Sequence, residues 1–128
     1  IPAARQLLLT HDDARDQDEV WWRQERPEIV MGPASWRWLE RAYASWRGLE
    51  ESGALETVET PVLILSTSAD KLVSHAANVR AARRLPRARL VEFGSEARHE
   101  ILREADPVRA QAMQAIAAFL DEVAPARE

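Results

Sequence analysis

Hydrophobic positions change their spacing along this chain, and each spacing predicts a different element. Trp36, Leu39, Tyr43 and Trp46 recur at the interval of one helical face. Ser35 ahead of them predicts an N-capped helix from Trp36 to about Leu49. Val62-Leu63-Ile64-Leu65 is instead an unbroken apolar run opened by Thr60-Pro61. That is the pattern of a strand covered on both faces of a parallel sheet. Ser66 to Asp70 reads as the loop at its end. Ser74 predicts the cap of a helix running to about Leu85, with Val79, Ala82 and Leu85 turned inward, and Pro86 stops it. Arg89 to Phe93 reads as a second strand, followed by a turn at Gly94. Asp106 as N-cap and Pro107 as first helical residue open a last helix. Met113, Ile116, Leu120 and Val123 form its expected buried stripe, and Pro125 closes it. Residues 60–124 thus alternate strand and helix, which predicts parallel strands joined by a right-handed crossover.

Upstream the pattern is less regular. Thr10-His11-Asp12-Asp13 can cap a helix over Asp16 to Gln24 that ends before Pro27, and Gly32-Pro33 marks a turn. All five tryptophans lie before Thr60, whereas the clear strand signals lie after it. Two strands are too few for a doubly covered sheet. Further strands are expected from elsewhere, or a second chain must pair with this one.

Composition narrows the function classes. The 128 residues are 46% hydrophobic and 30% charged, enough for a core and a polar surface. A formal net charge of −4 argues against wrapping nucleic acid, and the Arg83, Arg84, Arg87 and Arg89 cluster reads as a solvated helix end. The absence of cysteine excludes disulfides, thiolate nucleophiles and thiolate metal sites, and it fits a reducing, cytoplasmic setting, with peripheral membrane attachment as the variant. No apolar run is long enough to span a bilayer. Ile1-Pro2-Ala3-Ala4-Arg5 has neither the form of a signal peptide nor an initiator methionine, which suggests that something precedes it.

In open α/β sheets, ligands gather at the carboxyl ends of the strands. Asp70 follows the first strand and His99 follows the second, so parallel neighbours would bring both loops to one edge. A carboxylate there can orient an imidazole and stabilise its protonated form. The plainer alternative is an Asp that caps the next helix and a His satisfied by backbone. A zinc-binding helix at His99-Glu100 would need a second His where Arg103 stands. His11 and His75 read as surface histidines. No cofactor and no metal are implied.

The flanking residues add a resemblance. Thr60 to Leu65 followed by Ala69-Asp70-Lys71-Leu72-Val73 resembles the strand and acid loop of α/β-hydrolases. Arg98-His99-Glu100-Ile101-Leu102-Arg103-Glu104-Ala105-Asp106 resembles the histidine loop of their lysophospholipase and monoacylglycerol-lipase-like branch. Leu9 to Asp12 and Pro27 to Leu39 look like that branch's cap segment. The resemblance implies an α/β fold, with residues 1–59 as helical cap and residues 60–128 as a β-α-β-α part of the core. It makes Asp70 the acid and His99 the base of a Ser-His-Asp triad that cleaves carboxylic esters, of lysophospholipid or monoacylglycerol type. Glu100 and Glu104 would support the histidine loop, with an arginine partner such as Arg98 or Arg103.

One departure is large. The family's nucleophile sits in a G-x-S-x-G elbow. The only glycines are Gly32, Gly48, Gly53 and Gly94, and no two frame a serine in that pattern. The expectation is therefore a C-terminal portion of a serine hydrolase, inactive alone. Ser66, Ser68, Ser74 and Ser95 lie near the expected site, but none sits on an elbow. The stripe of Trp36, Tyr43 and Trp46 reads first as core packing. In its functional reading, Trp36, Trp38 and Tyr43 contact substrate from the cap. The partners implied are a small ester or lipid substrate and either the missing half or a second copy. The alternative functions are a non-catalytic dimerisation module built on this fold, or a hydrolase that has lost catalysis and kept a binding role.

Overall fold

The computed structural model describes residues 7–51 and 53–125, so the opening Ile1 to Arg5 lies outside the described residues. Helix α1 spans Asp13–Glu25 and α2 spans Trp36–Glu50, with a 3-10 turn at Pro27–Ile29 between them. Strand β1 (Val62–Thr67), helix α3 (His75–Arg84) and strand β2 (Ala88–Phe93) follow. A 3-10 turn at Ile101–Arg103 leads into α4, Asp106–Val123.

Local chemistry explains the starts. The side chains of Asp12, Ser35 and Ser74 accept from the backbone N–H of Arg15, Trp38 and Ala77 at the first turns of α1, α2 and α3. At α4 the expected cap shifts by one residue. Ala105 holds the N-cap position, while Asp106 is the first helical residue and pairs with Arg15 of α1.

The strands pair in parallel, from Val62 opposite Ala88 to Thr67 opposite Phe93. β1 runs two residues past Leu65, into what the sequence pattern assigns to a loop. The ladder continues because Ser66 and Thr67 both find polar partners: His75 and Asn78 for Ser66, and carbonyls of the histidine loop for Thr67. Alternation along the strands sends Ser66 and Glu92 to the face that meets α3. Leu65, Val91 and Phe93 face the other way and pack with Ala97, Ile101, Val108 and Ala112, so α4 covers that face.

Four sequence expectations need correction. The run Val62 to Leu65 is half-buried rather than enclosed, because among the described residues each strand has one neighbour and one open edge. The inward face of α4 runs through Val108, Ala112, Ile116, Phe119 and Val123, leaving Met113 and Leu120 exposed. Ala112 is fully buried on this face and packs in one cluster with Phe93 and Ile101. The aromatic stripe of α2 is not core. Trp36 is 87% exposed, and Trp38 and Tyr43 are each 62% exposed. Nor is Arg84 a solvated helix end: it donates to the carbonyls of Leu49 (2.9 Å) and Glu51 (2.6 Å) and pairs with Glu56, tying the end of α2 to α3.

Phe93 is the largest member of the small core and is 2% exposed. In the polypeptide that carries this chain, Phe93→Ala should lower stability by about 3–5 kcal/mol in urea unfolding. A loss below about 1 kcal/mol would show that this cluster does not hold the strands and α4 together.

Candidate active site

The level ends of β1 and β2 release two loops side by side. In the first, Asp70 uses its two oxygens differently. Oδ1 accepts from the backbone N–H of Leu72 (2.8 Å) and Val73 (3.0 Å), which closes the turn. Oδ2 accepts from His99 Nδ1 at 2.9 Å. Asp70 thus closes its own turn with one oxygen and meets the His99 ring with the other; it does not cap the next helix, whose N-cap is Ser74. The Asp70 side chain is 6% exposed and that of His99 is 32% exposed. Burial works against the Asp70 charge, but the bond from His99 and the two backbone N–H groups outweigh it and hold the carboxyl below its usual value. An ionised Asp70 requires the proton on Nδ1 of a neutral His99. The lone pair then lies on Nε2, the nitrogen that can take a proton from a nucleophile.

Thr67 joins the two loops. Its buried hydroxyl lies 2.9 Å from the carbonyls of both Gly94 and Ala97, and it accepts from the N–H of Ala69 at 3.1 Å. The end of β1 is thereby fixed against the approach to His99.

The histidine loop is held from its other side by Glu104, whose residue exposure is 1%. Oε1 accepts from the Arg98 N–H (2.7 Å) and from His11 Nδ1 (3.1 Å). Oε2 accepts from the His11 N–H at 3.0 Å. Burial opposes the charge of Glu104. The two backbone donors and the His11 ring together outweigh it and keep the pKa below the ordinary 4.5. Backbone bonds extend the seam, from His99 N–H to the Leu8 carbonyl (3.4 Å) and from Glu100 N–H to the Leu9 carbonyl (2.8 Å). Glu104 therefore supports the loop through the Arg98 backbone, while the Arg98 guanidinium donates to the Thr10 carbonyl. Glu100 pairs with Arg103.

Of the residues singled out in the sequence, Asp70 and His99 are brought together. Trp36, Trp38 and Tyr43 stand exposed on α2 and do not line the cleft beside the pair. Among the described residues, no hydrogen bond joins Ser66, Ser68, Ser74 or Ser95 to His99. His75 is not a free surface histidine, since it bridges Ser66 (2.9 Å) on β1 and Glu92 (3.1 Å) on β2. Sequence reasoning missed Thr67 and the joining of Thr10-His11 to Glu104. The one available signal for Thr67 was its position two residues past Leu65, on the same face.

The fold and this edge-on acid–imidazole pair define a partial α/β-hydrolase fold. The profile of the serine aminopeptidase, S33, family matches residues 3–106, and the chain belongs to that family. Among solved structures it is similar to a soluble variant of monoglyceride lipase from Saccharomyces cerevisiae, determined in complex with a substrate analog. The identity is 19% and the TM-score 0.72, over 91% of this chain and 41% of that one. At such identity the likeness is one of fold, and the chain spans less than half of that lipase. No curated protein matches the sequence. No helix among the described residues is long and apolar enough to cross a membrane.

Ionised Glu104 stabilises the fold fully above pH 4.5, its ordinary value, and this contribution is lost as pH falls through its lowered native value. Glu104→Gln turns an amide donor toward N–H groups that need acceptors. It should cost about 2–3 kcal/mol at pH 7 and flatten the acid side of the stability profile. Unfolding curves between pH 3 and 7 that superimpose for the two proteins would contradict this role.

Proposed function

We propose that this chain supplies the acid and the base of a serine hydrolase that cleaves carboxylic esters. The observation that carries the reading is the 2.9 Å bond from His99 Nδ1 to an Asp70 whose other oxygen is anchored by two backbone donors. His99 Nε2 takes the proton of a serine that lies outside these 128 residues. Asp70 keeps the ring in the required tautomer and stabilises the imidazolium. The serine attacks the ester carbonyl, an acyl-enzyme forms, and water releases the acid. The lack of a G-x-S-x-G in the chain supports an external serine, as does its coverage of 41% of the lipase. In this reading residues 1–59 are a helical cap and residues 60–128 the C-terminal part of the hydrolase core. The substrate is a lysophospholipid or monoacylglycerol type of ester, and a monoglyceride lipase among the fold's relatives accords with that class. Trp36, Trp38 and Tyr43 are the cap's candidate acyl-chain contacts. The lack of cysteine accords with a cytoplasmic setting.

A second reading rests on the same exposed aromatics together with the open strand edges: a non-catalytic module that dimerises. Hydrolysis of p-nitrophenyl and monoacylglycerol esters separates the two. In the polypeptide that carries this chain, Asp70→Asn and His99→Ala should each lower kcat by about 10³–10⁴-fold. Residues 1–128 alone should give no turnover. Unchanged rates in both variants would sink the hydrolase reading. A concentration-dependent dimer in light scattering, with no esterase activity in the intact polypeptide, would favour the module.

A further inference from the structure

Beside the Asp70–His99 pair lies a cleft of about 250 Å³ lined by Leu7, Leu8, His11, Ala69, Lys71 and Arg98. Neither Asp70 nor His99 lines it, but its lining includes chain neighbours of both, since Ala69 and Lys71 flank Asp70 and Arg98 precedes His99. Half of its lining residues are basic and none is acidic, although the chain as a whole is acidic. Arg98 stands out among the half-buried arginines that the structure describes. Arg15, Arg23, Arg84 and Arg103 each have a carboxylate within ion-pair distance. Arg98 has none among the described residues, and its guanidinium donates to one neutral carbonyl, that of Thr10, at 2.9 Å. Lys71 likewise has no carboxylate partner among the described residues. A half-desolvated guanidinium keeps several donors in a fixed fork that suits an oxyanion. Leu7 and Leu8 make the neighbouring wall apolar.

The geometry points to an anion subsite in this cleft that takes a phosphoryl group, with Arg98 and Lys71 as its charged contacts and the leucines against adjoining carbon atoms. The phosphoryl group belongs either to an ester substrate or to free phosphate acting on the site. Its place as a substrate subsite rests on the reading of Asp70 and His99 as a hydrolytic pair. Its anion chemistry does not, so binding can be tested without turnover.

The test is calorimetric titration of the polypeptide that carries this chain with glycerol 3-phosphate, glycerol and inorganic phosphate. Glycerol 3-phosphate should bind and glycerol should not. Lys71→Met and Arg98→Met should each weaken binding by about tenfold, the loss expected for one charge-assisted hydrogen bond. Raised salt should weaken it further. Lys71 is exposed, so its variant stays informative if Arg98→Met disturbs the seam to Thr10. Tighter binding of glycerol 3-phosphate than of inorganic phosphate assigns the site to a substrate headgroup, and equal binding assigns it to free phosphate. Equal affinity for glycerol and glycerol 3-phosphate, or unchanged affinity in both variants, would overturn the subsite. Failure of the hydrolytic reading would show separately, as esterase activity indifferent to Asp70→Asn and His99→Ala.

Discussion

Thr67 and Phe93 lie opposite each other at the ends of two parallel strands, and the site depends on that register. A parallel pair that ends level sends both following loops out of the same edge. The Asp70 loop and the His99 loop then start a strand spacing apart, about 5 Å. Side chains of ordinary length can close that gap. An antiparallel pair would place the same two loops at opposite ends of the sheet. The Thr67 hydroxyl, within reach of carbonyls at both Gly94 and Ala97, adds a fixed point where the loops separate.

Two carboxylates then divide the work of holding the histidine loop. Asp70 grips the ring of His99, and Glu104 grips the backbone at Arg98 and His11. Each is poorly exposed and each keeps its charge, because backbone N–H groups supply what water no longer can. This arrangement also brings the segment before α1 into the site. Leu8 and Leu9 accept from the backbone of His99 and Glu100, and Thr10 accepts from the Arg98 side chain. Leu8 to His11, distant in the chain, therefore help shape the surroundings of one imidazole.

The same economy leaves much apolar surface uncovered. The buried cluster is small, and both strands keep an open edge among the described residues. The aromatic face of α2 is bare, and Arg84 with Arg80 anchors that helix only near its C-terminal end. The monoglyceride lipase of similar fold extends well beyond the part matched, since this chain covers 41% of it.

Much of this was legible in the sequence because it is local. Ser35 and Ser74 were readable as caps, since a cap joins groups three residues apart. Val62 to Leu65 was readable as a strand by its unbroken apolar run, and Asp70 and His99 were readable as loop residues at strand ends. Periodicity could not say which helical face would be covered. On α4, Ala112 rather than Met113 faces the core, and on α2 the aromatic stripe stays exposed among the described residues. Nor could it show that Glu104 would be buried, for the donors from His11 lie more than ninety residues away in the chain. The sequence by itself determined the order of elements and the two side chains able to pair, because those follow from spacing and residue type. Only the tertiary structure decided that the pair forms at 2.9 Å and that Arg98 lacks a carboxylate among the described residues. Contacts between distant residues depend on where packing places them, which spacing along the chain does not encode.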